Sequence, residues 1–276
     1  MRRAKCREIP DRSRSTSKGP DMSDPIAPLE DLRRRVAEAC RVLGHLHLTQ
    51  GTVGHASARL PGAETFLIRA RGPAENGVRF TQEPDIIEVT LEGQRVASRE
   101  DGYSVPLEVH IHTALYQARP EVNAVVHMHP RKLVLMSICD KPIRPIYGAF
   151  DPLSLRLVMG GIPTYPSSLL IDRAELGVEL AEAMGEAPVC VMRGHGLTTA
   201  ANSVEEAALV AIQTLEIAEM NYDAELLGGA SDIPQEEQAV FRAMDVNTGY
   251  GAFKLGEPSG RAANLWRYYK RIAEGP

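Results

Sequence analysis

The sequence has little of what marks several common classes of protein. Its 276 residues include four cysteines without CxxC spacing, which argues against a zinc-thiolate or disulfide framework. No run of about 18 apolar residues occurs, so nothing predicts a membrane-spanning helix. The formal net charge is −5 at pH 7, and this shortage of basic charge argues against nucleic-acid binding. We expect a protein of the reducing cytoplasm with no membrane or nucleic-acid partner.

Basic charge is concentrated at the start of the chain. Residues 1–22 hold seven Lys or Arg against three Asp or Glu, and they lack the apolar core of a secretory signal. We predict a disordered basic tail here; a transit peptide or a nucleic-acid contact would be the alternatives. Residues 23–276 are predicted to form a single domain, because their length fits one core and no convincing linker interrupts them.

Hydrophobic periodicity predicts an α/β domain. Helical spacing of apolar residues predicts helices over 29–48, 106–119, 204–227 and near the C-terminus. Short β-type runs predict strands between 51 and 72 and over 85–90, 123–128 and 189–192. Two helix starts resemble capping boxes, namely Asp172 with Glu175 and Ser203 with Glu206.

Three histidines are candidate metal ligands. His127 and His129 are two residues apart at the end of a predicted strand, so their side chains point to the same face. His195 stands between two glycines at another strand end, where the backbone can turn sharply. Three imidazoles leave open positions for water or substrate, as in catalytic metal sites. Taken alone, His195 also fits a surface histidine in a tight turn.

Glu108 is the candidate acid or base. It lies at the start of the helix predicted over 106–119, upstream of the histidine pair. A carboxylate beside a metal can take or give a proton during chemistry at carbon. Taken alone, Glu108 fits a solvated helix residue better than an acid or base.

Three segments together resemble the class II aldolase and adducin family. They are GTVGHASAR, SVPLEVHIHTALYQARPEVNAVVHMHP and RGHGLTTAANSVEEA, in the family's order within residues 29–230. The resemblance implies that His127, His129 and His195 bind one divalent ion (Mn, Zn, Co or Fe) and that Glu108 is the acid/base. It also implies a three-layer α/β/α sandwich with a mainly antiparallel central sheet. Homo-oligomers, tetramers or higher, are expected from the same resemblance.

The loops differ from those of the family's sugar-phosphate aldolases. This chain has GHAS at 54–57 where those aldolases have Gly-Asn-x-Ser, and RARG at 69–72 where they have Thr-Pro-Ser-Gly. It has PL at 106–107 where they have two serines. The guanidinium group of an arginine can bind a carboxylate through two parallel hydrogen bonds. Arg69 and Arg71 also fit a pair of strand residues that each form a surface salt bridge. The pattern resembles the family's decarboxylases of hydroxylated aromatic or pyridine dicarboxylates. It implies four residues that bind a small carboxylate substrate: His55, Ser57, Arg71 and Gly72.

The predicted function is therefore a divalent-metal-dependent carbon–carbon lyase that decarboxylates such a dicarboxylate in catabolism. The alternative within the family is a sugar-phosphate aldolase or epimerase, which would act on phosphorylated ketoses. A non-catalytic adducin-like scaffold is the alternative of another class. The scaffold is disfavoured because the chain keeps all three histidines and the glutamate.

Overall fold

A computed structural model describes residues 26–72, 75–96, 102–244 and 260–275 of the chain. The predicted basic tail, residues 1–22, lies outside these residues. Among the described helices, none combines the length and the apolar character that crossing a membrane requires.

The described residues form eight α-helices and seven β-strands. The helices are α1 (Ile26–His45), α2 (Val109–Ala118), α3 (Arg131–Ile138), α4 (Pro152–Val158), α5 (Ala174–Met184), α6 (Val204–Leu226), α7 (Gln235–Ala243) and α8 (Gly260–Glu274). The strands are β1 (His55–Ala58), β2 (Thr65–Arg69), β3 (Ile86–Thr90), β4 (Ala124–Met128), β5 (Thr164–Tyr165), β6 (Val189–Met192) and β7 (Gly196–Ala201).

All seven strands join one sheet in the order β3-β2-β1-β4-β7-β6-β5. Every neighbouring pair is antiparallel except β5 and β6, which are parallel. Side chains of successive strand residues enter opposite layers, so Ala124 and Val126 pack with α1 and α6 while Val125 packs with α2 and α5. The predicted three-layer α/β/α fold with a mainly antiparallel sheet is confirmed.

The ends of two predicted helices differ from the structure. The helix predicted from residue 106 begins at Val109, and Glu108 is its N-cap residue with φ −94° and ψ 29°. The capping box predicted at Asp172 is wrong, because Arg173 is the N-cap of α5 and the Asp172 carboxylate accepts from the Arg173 guanidinium. The cap at Ser203 is confirmed: its Oγ accepts from the Glu206 amide at 3.3 Å.

Helix α5 packs directly on α2, the helix that follows Glu108. Gly177 of α5 faces the backbone of α2, and a Cβ added there would overlap the carbonyl oxygen of His110 and lie 3.1 Å from the Ala114 Cβ. Because this contact is made by backbone, neither helix can yield cheaply. The position of α2, and with it Glu108, therefore depends on a residue without a side chain at 177.

We expect Gly177→Ala to lower the free energy of unfolding by about 1–3 kcal/mol, the usual cost of overpacking. Gly160→Ala is the matched control, because no atom lies within 4 Å of a Cβ added there, and its effect should stay within about 0.5 kcal/mol. Urea unfolding at one fixed protein concentration measures both variants. Equal stabilities would show that the two helices are not tightly packed at Gly177.

Candidate functional site

Four side chains that can bind a metal converge beside the carboxyl end of β4. They are Glu108, His127, His129 and His195, and one ligand atom from each lies within 4.8 Å of all the others. The Nε2 atoms of His127 and His129 are 2.8 Å apart. The Glu108 carboxylate places Oε2 3.5 Å from His127 Nε2 and Oε1 3.2 Å from His195 Nε2. The structure thus brings together all four residues that the sequence singled out for chemistry.

The centre of the sheet positions these histidines. His127 lies on β4 between β1 and β7, opposite His55 and Thr198, and is fully buried. His129 follows directly after β4 and keeps the same facing, and His195 lies in the hairpin between β6 and β7. Gly196 lets β7 start close to β4, since a Cβ there would overlap the Met128 carbonyl oxygen and lie 2.9 Å from the His129 ring.

The hydrogen bonds of His127 indicate which nitrogen is available to a ligand. Its Nδ1 lies 3.0 Å from the Leu197 carbonyl oxygen, which can only accept, so Nδ1 carries the proton. Its Nε2 then directs a lone pair at His129 Nε2 and the Glu108 carboxylate. Such electron-rich groups repel one another unless a proton or a metal ion lies between them. Imidazole and carboxylate donors suit Zn, Mn, Co or Fe, so the residues fit a divalent ion.

Glu108 is ionised in this setting. Burial raises its pKa, but hydrogen bonds and positive charge from the protonated forms of His127 and His195 outweigh burial and hold the pKa well below its usual range. A cation bound among unprotonated histidines would act on the carboxylate in the same direction. The backbone N–H of Ile171 also donates to its Oε1 at 3.3 Å. The carboxylate is therefore a proton acceptor at neutral pH and adds negative charge to the cluster.

A cleft of about 170 Å³ opens onto Glu108. His55 and Arg71 line it together with Glu108, so two of the predicted substrate residues meet the predicted acid/base. Apolar side chains that are about half exposed form much of the remaining wall: Val53, Leu107 and Leu170. A positively charged group, a hydrogen-bonding imidazole and apolar surface suit an anionic ligand with an apolar body.

The two arginines of the RARG segment differ in their surroundings. Arg69 is buried and pairs with Glu75, and it also donates to Thr81 Oγ1 and the Thr52 carbonyl oxygen. Arg71 is exposed, and within the described part of the chain its guanidinium has no hydrogen-bond or ion-pair partner. The two arginines therefore differ from the alternative of surface salt bridges: Arg69 forms an internal ion pair with Glu75, and within the described residues the Arg71 guanidinium is free at the cleft.

The other two predicted substrate residues lie outside the cleft lining. Ser57 is fully buried, and its Oγ contacts His112 Nδ1 and the Tyr116 hydroxyl, each at 2.6 Å. Gly72 faces the ring of Tyr103, which a Cβ at residue 72 would overlap at 2.5 Å. Neither residue lines the cleft in this structure, and their direct contact with substrate stays a prediction.

His112 was not among the predicted site residues. Its position in the sequence favours a packed helix histidine, with orientation of Glu108 as the less favoured alternative. The structure buries it on α2, with its Nε2 2.7 Å from His55 Nδ1 and its Nδ1 2.6 Å from Ser57 Oγ. The signal in the sequence was the alternation of His55 and Ser57, which points both side chains to one face of β1, where α2 packs.

Comparison with known proteins identifies the family. Residues 34–222 match the family model described as class II aldolase and adducin N-terminal domain. The chain belongs to this family. The family membership inferred from the motifs alone is thereby confirmed.

Two relatives of this class II aldolase family member carry the same name. The 3,4-dihydroxyphthalate decarboxylase of Arthrobacter keyseri is 45% identical over 210 residues, covering 75% of this chain and 84% of that protein. The one of Terrabacter sp. (strain DBF63) is 42% identical over 209 residues, covering 75% and 87%. An L-fuculose 1-phosphate aldolase structure from Glaciozyma antarctica PI12 superposes with a TM-score of 0.73 over 93% of this chain and 94% of that one. At 19% identity it shows the fold alone.

The buried histidine His112 makes stability depend on pH. Burial, and then the charge of His127, lowers its pKa to about 3. In the unfolded chain a histidine titrates near 6.5, so between about pH 6.5 and 3 the unfolded state binds more protons. The contribution of His112 to the free energy of unfolding is therefore most favourable above about pH 6.5 and decreases as the pH falls from about 6.5 to 3.

We expect His112→Gln to flatten this dependence. Without the buried histidine, the slope of the unfolding free energy between pH 6 and 4 should decrease by up to about 1.4 kcal/mol per pH unit. Urea unfolding at several pH values, with chelator present to keep metals away from the other histidines, gives the slope. A variant as steep as the wild type would show that His112 is not held neutral by the fold.

Proposed function

We propose that the protein is a divalent-metal-dependent carboxy-lyase that removes one carboxylate from a hydroxylated aromatic dicarboxylate. The observation that carries the proposal is the free guanidinium of Arg71 in the same cleft as Glu108, next to the three histidines. Sequence similarity to the Arthrobacter and Terrabacter decarboxylases supports the substrate class. A pyridine dicarboxylate would present the same anionic groups on an aromatic ring.

The cleft can hold such a substrate in one orientation. Arg71 presents two parallel N–H donors to the carboxylate that stays on the ring, a geometry that a lysine cannot match. In this orientation Val53, Leu107 and Leu170 contact the faces of the ring. A sugar phosphate would cover this apolar surface less well, because it has no aromatic ring. The ring hydroxyl and the departing carboxylate then lie towards Glu108 and the histidine cluster.

Glu108 moves the proton. As a carboxylate it takes the proton of the ring hydroxyl, and the bond between the ring and the departing carboxylate breaks with its electron pair left on the ring. The carbon dioxide leaves, and Glu108 returns the proton to the ring carbon. Solvent later restores the hydroxyl proton. An ion held by His127, His129 and His195 would stabilise negative charge on the ring oxygen as a Lewis acid.

Purified protein supplied with Mn or Zn should release carbon dioxide from 3,4-dihydroxyphthalate, and chelator should abolish the release. Glu108→Gln should lower kcat by about 10²–10⁴-fold, the usual contribution of a general acid–base group, while the bound metal is retained. Arg71→Met should chiefly raise KM, because it removes a contact with a carboxylate that does not react.

Different results would favour the other functions. Cleavage of L-fuculose 1-phosphate without carbon dioxide release from any ring acid would favour a sugar-phosphate aldolase. No activity on either class, with metal bound, would favour a scaffold. Full turnover in Glu108→Gln would reject Glu108 as the proton carrier. The cytoplasmic location and assembly into a homo-oligomer, a tetramer or higher, stay predictions alongside this proposal.

A further inference from the structure

A chain of four polar side chains runs from the cleft into the core. His55 Nδ1 lies 2.7 Å from His112 Nε2, and His112 Nδ1 lies 2.6 Å from Ser57 Oγ, which lies 2.6 Å from the Tyr116 hydroxyl. All four residues are buried, with 6% exposure for His55 and 1% or less for the other three. Water therefore has little access to these four side chains, and each polar group depends on its neighbours for hydrogen bonds.

Tyr116, at the buried end of this row of four side chains, fixes the direction of every hydrogen bond in the row. Among the described residues, Ser57 Oγ is the only acceptor within reach of the Tyr116 hydroxyl proton. A buried phenol that donates to nothing would lose a full hydrogen bond, so Tyr116 donates and Ser57 accepts.

The remaining protons follow in order. Since Ser57 Oγ accepts from Tyr116, its own proton goes to its other partner, His112 Nδ1. A neutral His112 then carries its proton on Nε2 and donates it to His55 Nδ1. His55 Nδ1 is thereby an acceptor, and a neutral His55 carries its single proton on Nε2. That nitrogen has no partner among the described residues, and the ring lines the cleft.

We infer that Tyr116, Ser57 and His112 are positioning residues that fix His55 as the neutral Nε2–H tautomer, which presents a hydrogen-bond donor to an oxygen of the bound substrate. This role excludes His55 as a metal ligand, because the nitrogen that faces the cleft has no lone pair to offer. It also excludes His55 as a general base. A donor that stays neutral can hold a carboxylate or a developing oxyanion without giving up its proton.

The hydrogen-bond direction follows from the four side chains alone, whereas the ligand of the donor rests on the proposed function. Burial, followed by the neighbouring His112 and His127, holds the pKa of His55 well below its usual value, in keeping with a neutral ring. In this proposal Ser57 acts through His112.

Neutron diffraction from deuterium-exchanged, zinc-loaded protein tests the direction without any assay of activity. The inference expects deuterium on Nε2 of His55, on Nε2 of His112 and on Ser57 Oγ directed at His112. Deuterium on His55 Nδ1, on both of its nitrogens, or on Ser57 Oγ directed at Tyr116 would overturn it. If the protein proves inactive on ring acids, the tautomer result still stands, so the two failures are distinguishable.

Binding of phthalate, a dicarboxylate probe, tests the donor. We expect His55→Ala to raise its Kd about 10-fold or more, the loss of a hydrogen bond to a charged group, and His55→Gln to recover much of that loss through its amide N–H. Tyr116→Phe should raise the Kd about 3-fold or more by releasing the tautomer, whereas Tyr268→Phe, a matched change at an exposed residue, should not. Equal Kd values in His55→Ala and the wild type would overturn the donor role.

Discussion

The convergence of lone-pair donors at one buried point is the constraint on which the site depends. His127 offers Nε2 because its other nitrogen is committed to a backbone carbonyl, and Glu108 remains ionised beside it. A buried carboxylate and unprotonated imidazoles repel one another unless a proton or a metal ion lies among them. The donor atoms of this cluster therefore fit a divalent ion, and the other residues of the candidate site lie around the cluster.

The sheet and the helices α2 and α5, which lie in one layer, contribute differently to the site. β4 and the hairpin between β6 and β7 carry the histidines, while α2 begins immediately after Glu108. Helix α2 also carries His112 and Tyr116, which support His55 from behind. The same helix thus connects Glu108, the proposed acid/base, to His55, the proposed hydrogen-bond donor of the cleft. A shift of α2 would move both, so the close packing of α2 on α5 at Gly177 bears on the position of both residues.

Local patterns predicted part of this site, and long-range pairing decided the rest. The common facing of His127 and His129 follows from strand geometry, and the sequence was sufficient for it. That His195 joins them depends on β7 pairing with β4, which only the family resemblance indicated. The contact between His55 and His112 spans 57 positions in the chain, beyond any local pattern. The alternation of side chains along β1 predicts that His55 and Ser57 point to the same face. It does not predict how deep each one lies, because His112 fills the space in front of Ser57.

Metal analysis of the desalted protein tests the central claim most directly. After saturation with zinc or manganese, the wild type should retain one ion per chain, and so should His110→Ala, a change on the same helix but outside the cluster. His127→Ala should lower the affinity by more than about 100-fold, exceeding the usual effect of residues that only support metal ligands. Equal metal content and affinity in His127→Ala would contradict a metal centre at these histidines.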